Sequence, residues 1–266
     1  MRRFDIRPRR KLGQNFLVDN NILGVIADSA GLAPDDCVLE VGGGLGVLSE
    51  YLAARAEFTH VIEIDESLRA PLEDALAPYA NVELRFADAV GLDFSALDPR
   101  PNKLIANLPY NVAATCVIKA FYELEDLELC CVMAQREVGE RLAAKPGGKL
   151  YGATSVLVQA VAGEAGTRRL SRNIFHPVPN VDSSLVTLTR TRANPPADFA
   201  ELVHGAFAHR RKPLPGSLAL ARRDDSSIKQ RAAGALDQLD LPPDTRAERL
   251  TAVQFLRLYE LLGEDA

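Results

Sequence analysis

From residue 37 onward, short apolar runs alternate with longer stretches whose apolar residues recur at helical spacing. Cys37 to Val41, His60 to Ile64, Val82 to Phe86, Lys103 to Ala106 and Leu129 to Met133 are the runs of strand length, and the segments between them read as amphipathic helices. This alternation predicts an α/β fold, an open and mostly parallel sheet with helices on both faces. One helix is expected from Leu45 to Ala54. Another should begin at Asp65-Glu66-Ser67, where acidic side chains suit the positive end of a helix dipole.

After Pro146-Gly147-Gly148 the pattern changes. A helix is expected from Ala153 to Ala162, followed by an extended segment from Gly163 to Phe175 and an alternating strand from Ser183 to Thr191, the two pairing as an antiparallel edge. The Asn194-Pro195-Pro196 turn breaks the pattern. From about Asp198 the chain reads as short amphipathic helices that end in Val253-Phe255-Leu256-Leu258-Tyr259-Leu262. The domain expectation is therefore residues 1–194 for the sheet domain, with a basic N-terminal arm, and 195–266 for a small helical domain.

Composition narrows the function classes. The 266 residues, 47% hydrophobic and 25% charged, lie in the ordinary globular range. Apolar stretches such as Thr154 to Ala162 are too short to span a bilayer, and the arginine-rich start lacks the apolar core of a signal peptide, so a cytoplasmic protein is expected. Cys37, Cys116, Cys130 and Cys131 lack the spacing of a zinc or redox motif and are expected to be buried and reduced. Nor do His60, His176, His204 and His209 have metal-ligand spacing, so no metal is expected.

A net charge of -5 argues against a protein that coats nucleic acid indiscriminately, because such binding rests on phosphate neutralisation. Distribution changes that picture. Basic residues gather at Arg2, Arg3, Arg7, Arg9, Arg10 and Lys11, and again at Arg210, Arg211, Lys212, Arg222 and Arg223. Either group alone reads as solvated surface; together they are two candidate nucleic-acid patches on an acidic body.

The candidate chemistry lies at strand ends. Glu40-Val41-Gly42-Gly43-Gly44-Leu45-Gly46 follows one strand and opens a helix, as a glycine loop does where backbone approaches a ligand closely. A dinucleotide fingerprint starting at Gly42 would need glycine at 47, where Val47 stands, which disfavours hydride transfer. Glu63, about twenty residues on, is placed to accept hydrogen bonds from ribose hydroxyls, and Asp88, after the next strand, from an adenine amino group. Asn107-Leu108-Pro109-Tyr110 then presents an amide, a fixed carbonyl and an aromatic ring after a further strand. A cofactor loop and an amino-group clamp on one sheet suggest methyl transfer to an exocyclic amine.

These motifs, with Leu12-Gly13-Gln14-Asn15-Phe16-Leu17, Gln135-Arg136-Glu137 and Phe175-His176-Pro177-Val178-Pro179-Asn180-Val181-Asp182-Ser183, make the chain resemble the small-subunit ribosomal RNA adenine dimethyltransferases, the KsgA family, over nearly its full length. The resemblance implies a class I methyltransferase sheet of seven strands, Rossmann-like, with a small C-terminal helical domain that binds RNA. It implies S-adenosylmethionine as cofactor, held by Asn15, Leu17, Gly42, Gly44, Glu63, Ile64, Asp88, Ala89 and Asn107. Asn107, Leu108, Pro109 and Tyr110 would bind the target amine, and Tyr110 and Phe175 would stack on the two faces of the extruded base. Arg10, Lys11, Arg210, Arg211, Lys212, Arg222 and Arg223 become the RNA contacts of a monomer acting on small-subunit ribosomal RNA or the immature subunit.

The chain departs from the family pattern at several positions. Gly43 stands where proline is common, which is expected to leave the unbound loop freer. Ala153 stands where arginine is usual, and Pro213 and Gly216 replace an expected threonine and asparagine. Two other functions therefore stay open: methylation of large-subunit RNA in the manner of macrolide-resistance enzymes, and a ribosome-assembly factor without turnover.

Overall fold

Strand-length runs in the sequence coincide with strands in the computed structural model, which describes residues 6, 8, 9, 13–163 and 165–263. The chain divides into two compact units, Met1–Gly139 with Gly163–Arg190, and Glu140–Ala162 with Thr191–Ala266. The first contains, in chain order, β1 (Phe16–Leu17), α1 (Asn21–Ala30), β2 (Cys37–Val41), α2 (Val47–Ala53), β3 (Phe58–Glu63), α3 (Arg69–Leu76), β4 (Val82–Phe86), β5 (Lys103–Asn107), α4 (Ala113–Glu123), β6 (Leu129–Gln135), β7 (Gly166–Leu170), β8 (Phe175–His176) and β9 (Ser183–Thr189).

Seven of these strands form one sheet in the order β4-β3-β2-β5-β6-β9-β7. The first five are parallel to one another, and β9 runs antiparallel to both β6 and β7. Every residue of β2 is buried, which is why its sequence is an unbroken apolar run apart from Glu40: helices cover a parallel sheet on both faces. Because β3 lies on one side of β2 and β5 on the other, the order of strands reverses there. Ligands of open α/β sheets bind at the carboxyl ends of strands flanking such a reversal.

A buried polar knot secures the opposite end of these strands. Lys103, at the start of β5, reaches Asp36 at 2.7 Å and the Gly31 carbonyl at 2.6 Å. Asp36 also accepts from Ala33 N and the Asn102 side chain, so both charges keep hydrogen-bond partners in a setting where an unpaired one would be costly. His60 bridges Glu83 and the Pro99 carbonyl, both at 2.8 Å, a structural role. All four cysteines are free and buried.

In the second unit are α6 (Ala153–Val161), α7 (Phe199–Ala208), α8 (Leu214–Ala221), α9 (Ile228–Gln238) and α10 (Ala252–Gly263), while α5 (Arg136–Leu142) spans the junction between units. This division differs from the expected 1–194 and 195–266. Helix α6 buries Ser155, Val156, Leu157, Val158, Ala160 and Val161, and α7 and α10 pack against it. Tyr151, just before it, donates to the Leu250 carbonyl at 2.8 Å and meets Phe207 edge-on. Among the described residues, no helix is long and apolar enough to cross a membrane.

Candidate functional site

The loop after β2 can turn only because glycine tolerates positive φ: Gly42, Gly44 and Gly46 stand at 87°, 59° and 84°. Neighbours press on it. A Cβ on Gly42 would lie 3.4 Å from the Asn107 carbonyl oxygen and 3.5 Å from the Pro109 ring, and one on Gly44 would lie 3.2 Å from the Phe16 ring. The loop, the end of β5 and the N-terminal arm thus form three walls of one crevice.

Gly43 has a different reason to be glycine. A Cβ there would sit 2.5 Å from Val61 Cγ1 and 3.0 Å from Leu72 Cδ2, and both side chains are fully buried. The expectation of a freer loop from the missing proline is therefore offset: Val61 and Leu72 fill the space and clamp the backbone. Gly43→Ala should destabilise the protein by about 1–3 kcal/mol through overpacking, read as a lower urea midpoint with unchanged slope; a rise in midpoint would contradict this.

At the end of β3, Glu63 is 6% exposed. Its Oε2 accepts from Gly44 N at 2.9 Å and its Oε1 from Asp65 N at 2.8 Å. Each oxygen keeps a further lone pair for a donor in the crevice. Burial pushes this carboxyl above its ordinary value, with the Asp65 and Gly44 N–H groups opposing. Glu40, on β2, is deeper: burial pushes it up to about 8, with the Ser49 hydroxyl opposing and the Glu63 charge reinforcing the rise.

A second hollow adjoins the first and shares Gly42, Glu63, Ile64 and Pro109 with it. Ile64 and Val90 are 49% and 38% exposed there, which supplies apolar surface for a flat ring. Asp88 is exposed and uses one oxygen to accept from Val90 N at 2.9 Å, leaving the other available. Ala89 is buried beneath it. Hydroxyl acceptors, an apolar slot and a further acceptor form the sequence a nucleoside requires.

Asn107 ends β5. Its Nδ2 donates to the Asn15 carbonyl at 3.0 Å; since a carbonyl can only accept, the amide orientation is fixed and Oδ1 is the acceptor that remains. Leu108 N donates to the Met133 carbonyl at 3.1 Å, and the Pro109 carbonyl accepts from Val112 N as the chain turns toward α4. The Leu108 carbonyl takes no hydrogen bond from any described residue. Tyr110 is half-buried, its hydroxyl 2.9 Å from Ser183 Oγ; burial raises its pKa against that hydrogen bond, so it is a neutral phenol.

The arm is tied down by long-range contacts that the sequence does not show. Gln14 Nε2 and Arg9 Nη1 donate to the two oxygens of Asp65 at 2.7 and 2.9 Å. Asp65 was expected only to start a helix, and it does accept from Ser67 N at 3.0 Å as such a cap. Anchoring the arm is a second duty that no local pattern could reveal across 51 residues. Asn15 donates to the Gly13 carbonyl, and Phe16 and Leu17 pair antiparallel with His176 and Phe175.

That pairing corrects one expectation. Phe175 is 2% exposed and packs with Leu17, Leu23 and Ile174, so its ring is not presented as a face for a base. Leu17 is buried too, yet it lines the crevice. Of the basic candidates, Arg10 and Lys11 lie outside the described residues. Arg210 bonds Glu248 at 2.6 Å and the Lys149 carbonyl, Arg222 is half-buried, and Arg211, Lys212 and Arg223 are exposed; all five belong to the second unit. Among the described residues, no group of three or more His, Cys, Asp or Glu side chains could hold a metal ion.

Comparisons with known proteins show the family. Residues 6–263 match the model of a family described as ribosomal RNA adenine dimethylase. The ribosomal RNA small subunit methyltransferase A of Rubrobacter xylanophilus is 42% identical over 97% of this chain and 96% of its own length. Its namesake from Ligilactobacillus salivarius is 38% identical over 98% and 92%. Among solved structures, a dimethyladenosine transferase from Plasmodium falciparum matches with a TM-score of 0.80 at 22% identity, covering 94% of this chain and 98% of that one. The 23S rRNA methyltransferase ErmE matches at 0.68 and 28% identity, over 94% and 100%.

Proposed function

Because the chain belongs to the ribosomal RNA adenine dimethylase family, we propose that it transfers methyl groups from S-adenosylmethionine to the N6 amino groups of adenines, two of them adjacent, in small-subunit ribosomal RNA during ribosome biogenesis. The observation that carries this reading is the commitment of the Asn107 amide nitrogen to Asn15. It leaves two acceptors, Asn107 Oδ1 and the Leu108 carbonyl, beside a glycine loop, as an incoming amine with two N–H donors requires.

The residues present fit the cofactor. Glu63 would take the ribose hydroxyls, Asp88 the adenine amino group, and Ile64 and Val90 the ring faces, while the glycine loop and Glu40 would line its methionine end. When bound, it supplies an already activated methyl group. An adenine amino nitrogen is a weak nucleophile because its lone pair is delocalised into the ring. Hydrogen bonds from that amine to Asn107 and Leu108 favour a more tetrahedral nitrogen and hold it in line, and such alignment alone accounts for much of an enzyme's acceleration. Tyr110 offers a stacking face that helps offset the few kcal/mol of extruding the base. No side chain is assigned as a general base, and Arg211, Lys212 and Arg223 are read as phosphate contacts of a monomer working in the cytoplasm.

Primer extension on both ribosomal RNAs, after incubating purified protein with the cofactor and immature ribosomal subunits, tests this. Two neighbouring stops in the small-subunit RNA are expected. Modification confined to the large-subunit RNA would instead support the activity that the ErmE likeness brings to mind. Cosedimentation with small subunits without any transfer would support a non-catalytic assembly factor.

A further inference from the structure

Strand β7 lies at the edge of the seven-stranded sheet and reads Gly-Thr-Arg-Arg-Leu, its first four residues exposed. Arg168 and Arg169 have no ion-pair partner among the described residues. Elsewhere in this unit several arginines are matched with acids, Arg9 with Asp65, Arg69 with Glu66, Arg85 with Glu83 and Arg172 with Asp182, while Arg55 and Arg190 donate to backbone carbonyls. An adjacent pair of unmatched cations stands out in a chain of net charge -5.

Register fixes where these cations sit. Arg168 pairs with Leu185, Leu185 with Met133, and Met133 with Asn107, so the four form one row across β7, β9, β6 and β5. Directly opposed residues project from the same face of a sheet. Arg168 therefore shares a face with the amine clamp, three strand spacings or roughly 14 Å from Asn107. Arg169, next along the strand, projects from the other face, and the two straddle the edge. Because β7 is antiparallel to β9 and β9 to β6, β7 points the same way as β5 and ends at the same edge as the crevice. The chain then passes through Arg172, which Asp182 holds at 3.6 Å, into the segment paired with the N-terminal arm.

We propose that Arg168 and Arg169 form a phosphate-binding edge that holds the RNA strand flanking the adenine in the crevice. This rests on the RNA reading above and adds to it a contact outside both basic clusters apparent in the sequence. The arginines are positioning residues: phosphate contacts set register and orientation, while the clamp selects the base. Charged side chains also guard sheet edges against pairing with other strands, but a guard works with either sign of charge and has no need to share a row with Asn107. Sign reversal separates the two roles.

The test compares wild type, R168K/R169K and R168E/R169E, using immature small ribosomal subunits as the probe. KM, kcat and the salt dependence of filter binding are measured, and calorimetric affinity for S-adenosylhomocysteine serves as a control on folding. R168E/R169E should raise KM on the order of tenfold or more at low salt with kcat nearly unchanged, since hydrogen bonds to charged groups are worth that much. Its slope of log affinity against log salt should fall by about 0.7–0.9 per lost contact. R168K/R169K should stay near wild type. Unchanged KM and slope in R168E/R169E, with methylating wild type, would overturn this contact and leave the methyltransferase reading intact. A wild type that binds through these arginines but methylates no ribosomal RNA would sustain the contact and sink that reading.

Discussion

Asn107→Ala should lower the single-turnover rate of methyl transfer by about 10²–10³-fold, the loss seen when one preorganised polar contact to a reacting group is removed. The side chain does two things through two atoms. Its nitrogen ties β5 to the arm through the Asn15 carbonyl, and its oxygen receives the amine. Asn107→Asp separates these roles: it keeps an acceptor for the amine but sets a second oxygen against the Asn15 carbonyl, where two acceptors repel. It too should be slow, with the arm loosened as an added effect, whereas Asn107→Ala leaves that carbonyl free for water. Asn107 is only half-buried, so the alanine variant should unfold within about 1–2 kcal/mol of wild type and bind the cofactor within a few-fold. Turnover within threefold of wild type would remove the amide from the mechanism.

The parts of this site that were legible in the sequence are those carried by local pattern. A strand buried on both faces announces itself as an apolar run, so β2 matches its expected bounds residue for residue, and β4, half-buried at the sheet edge, does so through its alternation of Val82, Leu84 and Phe86 with polar residues. The glycine loop and the Asn107 tetrapeptide are contiguous motifs whose backbone demands can be read without knowing the neighbours. What stayed hidden depends on distant partners. Asp65 looks like a helix cap whether or not Gln14 and Arg9 reach it. An aromatic in a proline-rich loop reads the same whether it stacks on a base or, like Phe175, fills the core. Gly43 reads as a loosened loop until Val61 and Leu72 are found in the space a proline would need. Helix α6 is apolar on most of its surface, and nothing in that pattern says that α7 and α10, encoded much later in the chain, are what cover it.

Glu63→Ala should weaken cofactor binding by about 100-fold or more, because it removes the ribose acceptor and also orphans the Gly44 and Asp65 N–H groups that shape the loop, each at about 1–3 kcal/mol if water does not replace the lost partner. Glu63→Gln should be intermediate. An amide offers one acceptor and one donor, so one of the two backbone N–H groups must face another N–H. The pH dependence provides the sharper check. Burial raises the Glu63 pKa in the free protein, so the folded state holds this proton more tightly than the unfolded chain, and stability falls as pH rises from the ordinary carboxylate value through the raised one. Hydroxyl donors from the cofactor favour the charged form. Binding should therefore release part of a proton and tighten as pH climbs through that raised value, then level off. Glu40, raised to about 8, adds a change at higher pH that Glu63→Gln should keep but move downward, because the Glu63 charge is one of its causes, and Asp65, held low by its Ser67, Gln14 and Arg9 partners despite burial, stays charged throughout. Calorimetry in two buffers of different ionisation enthalpy measures the released proton directly. Equal proton release from wild type and Glu63→Gln in the mildly acidic range would show that this carboxylate does not receive the cofactor.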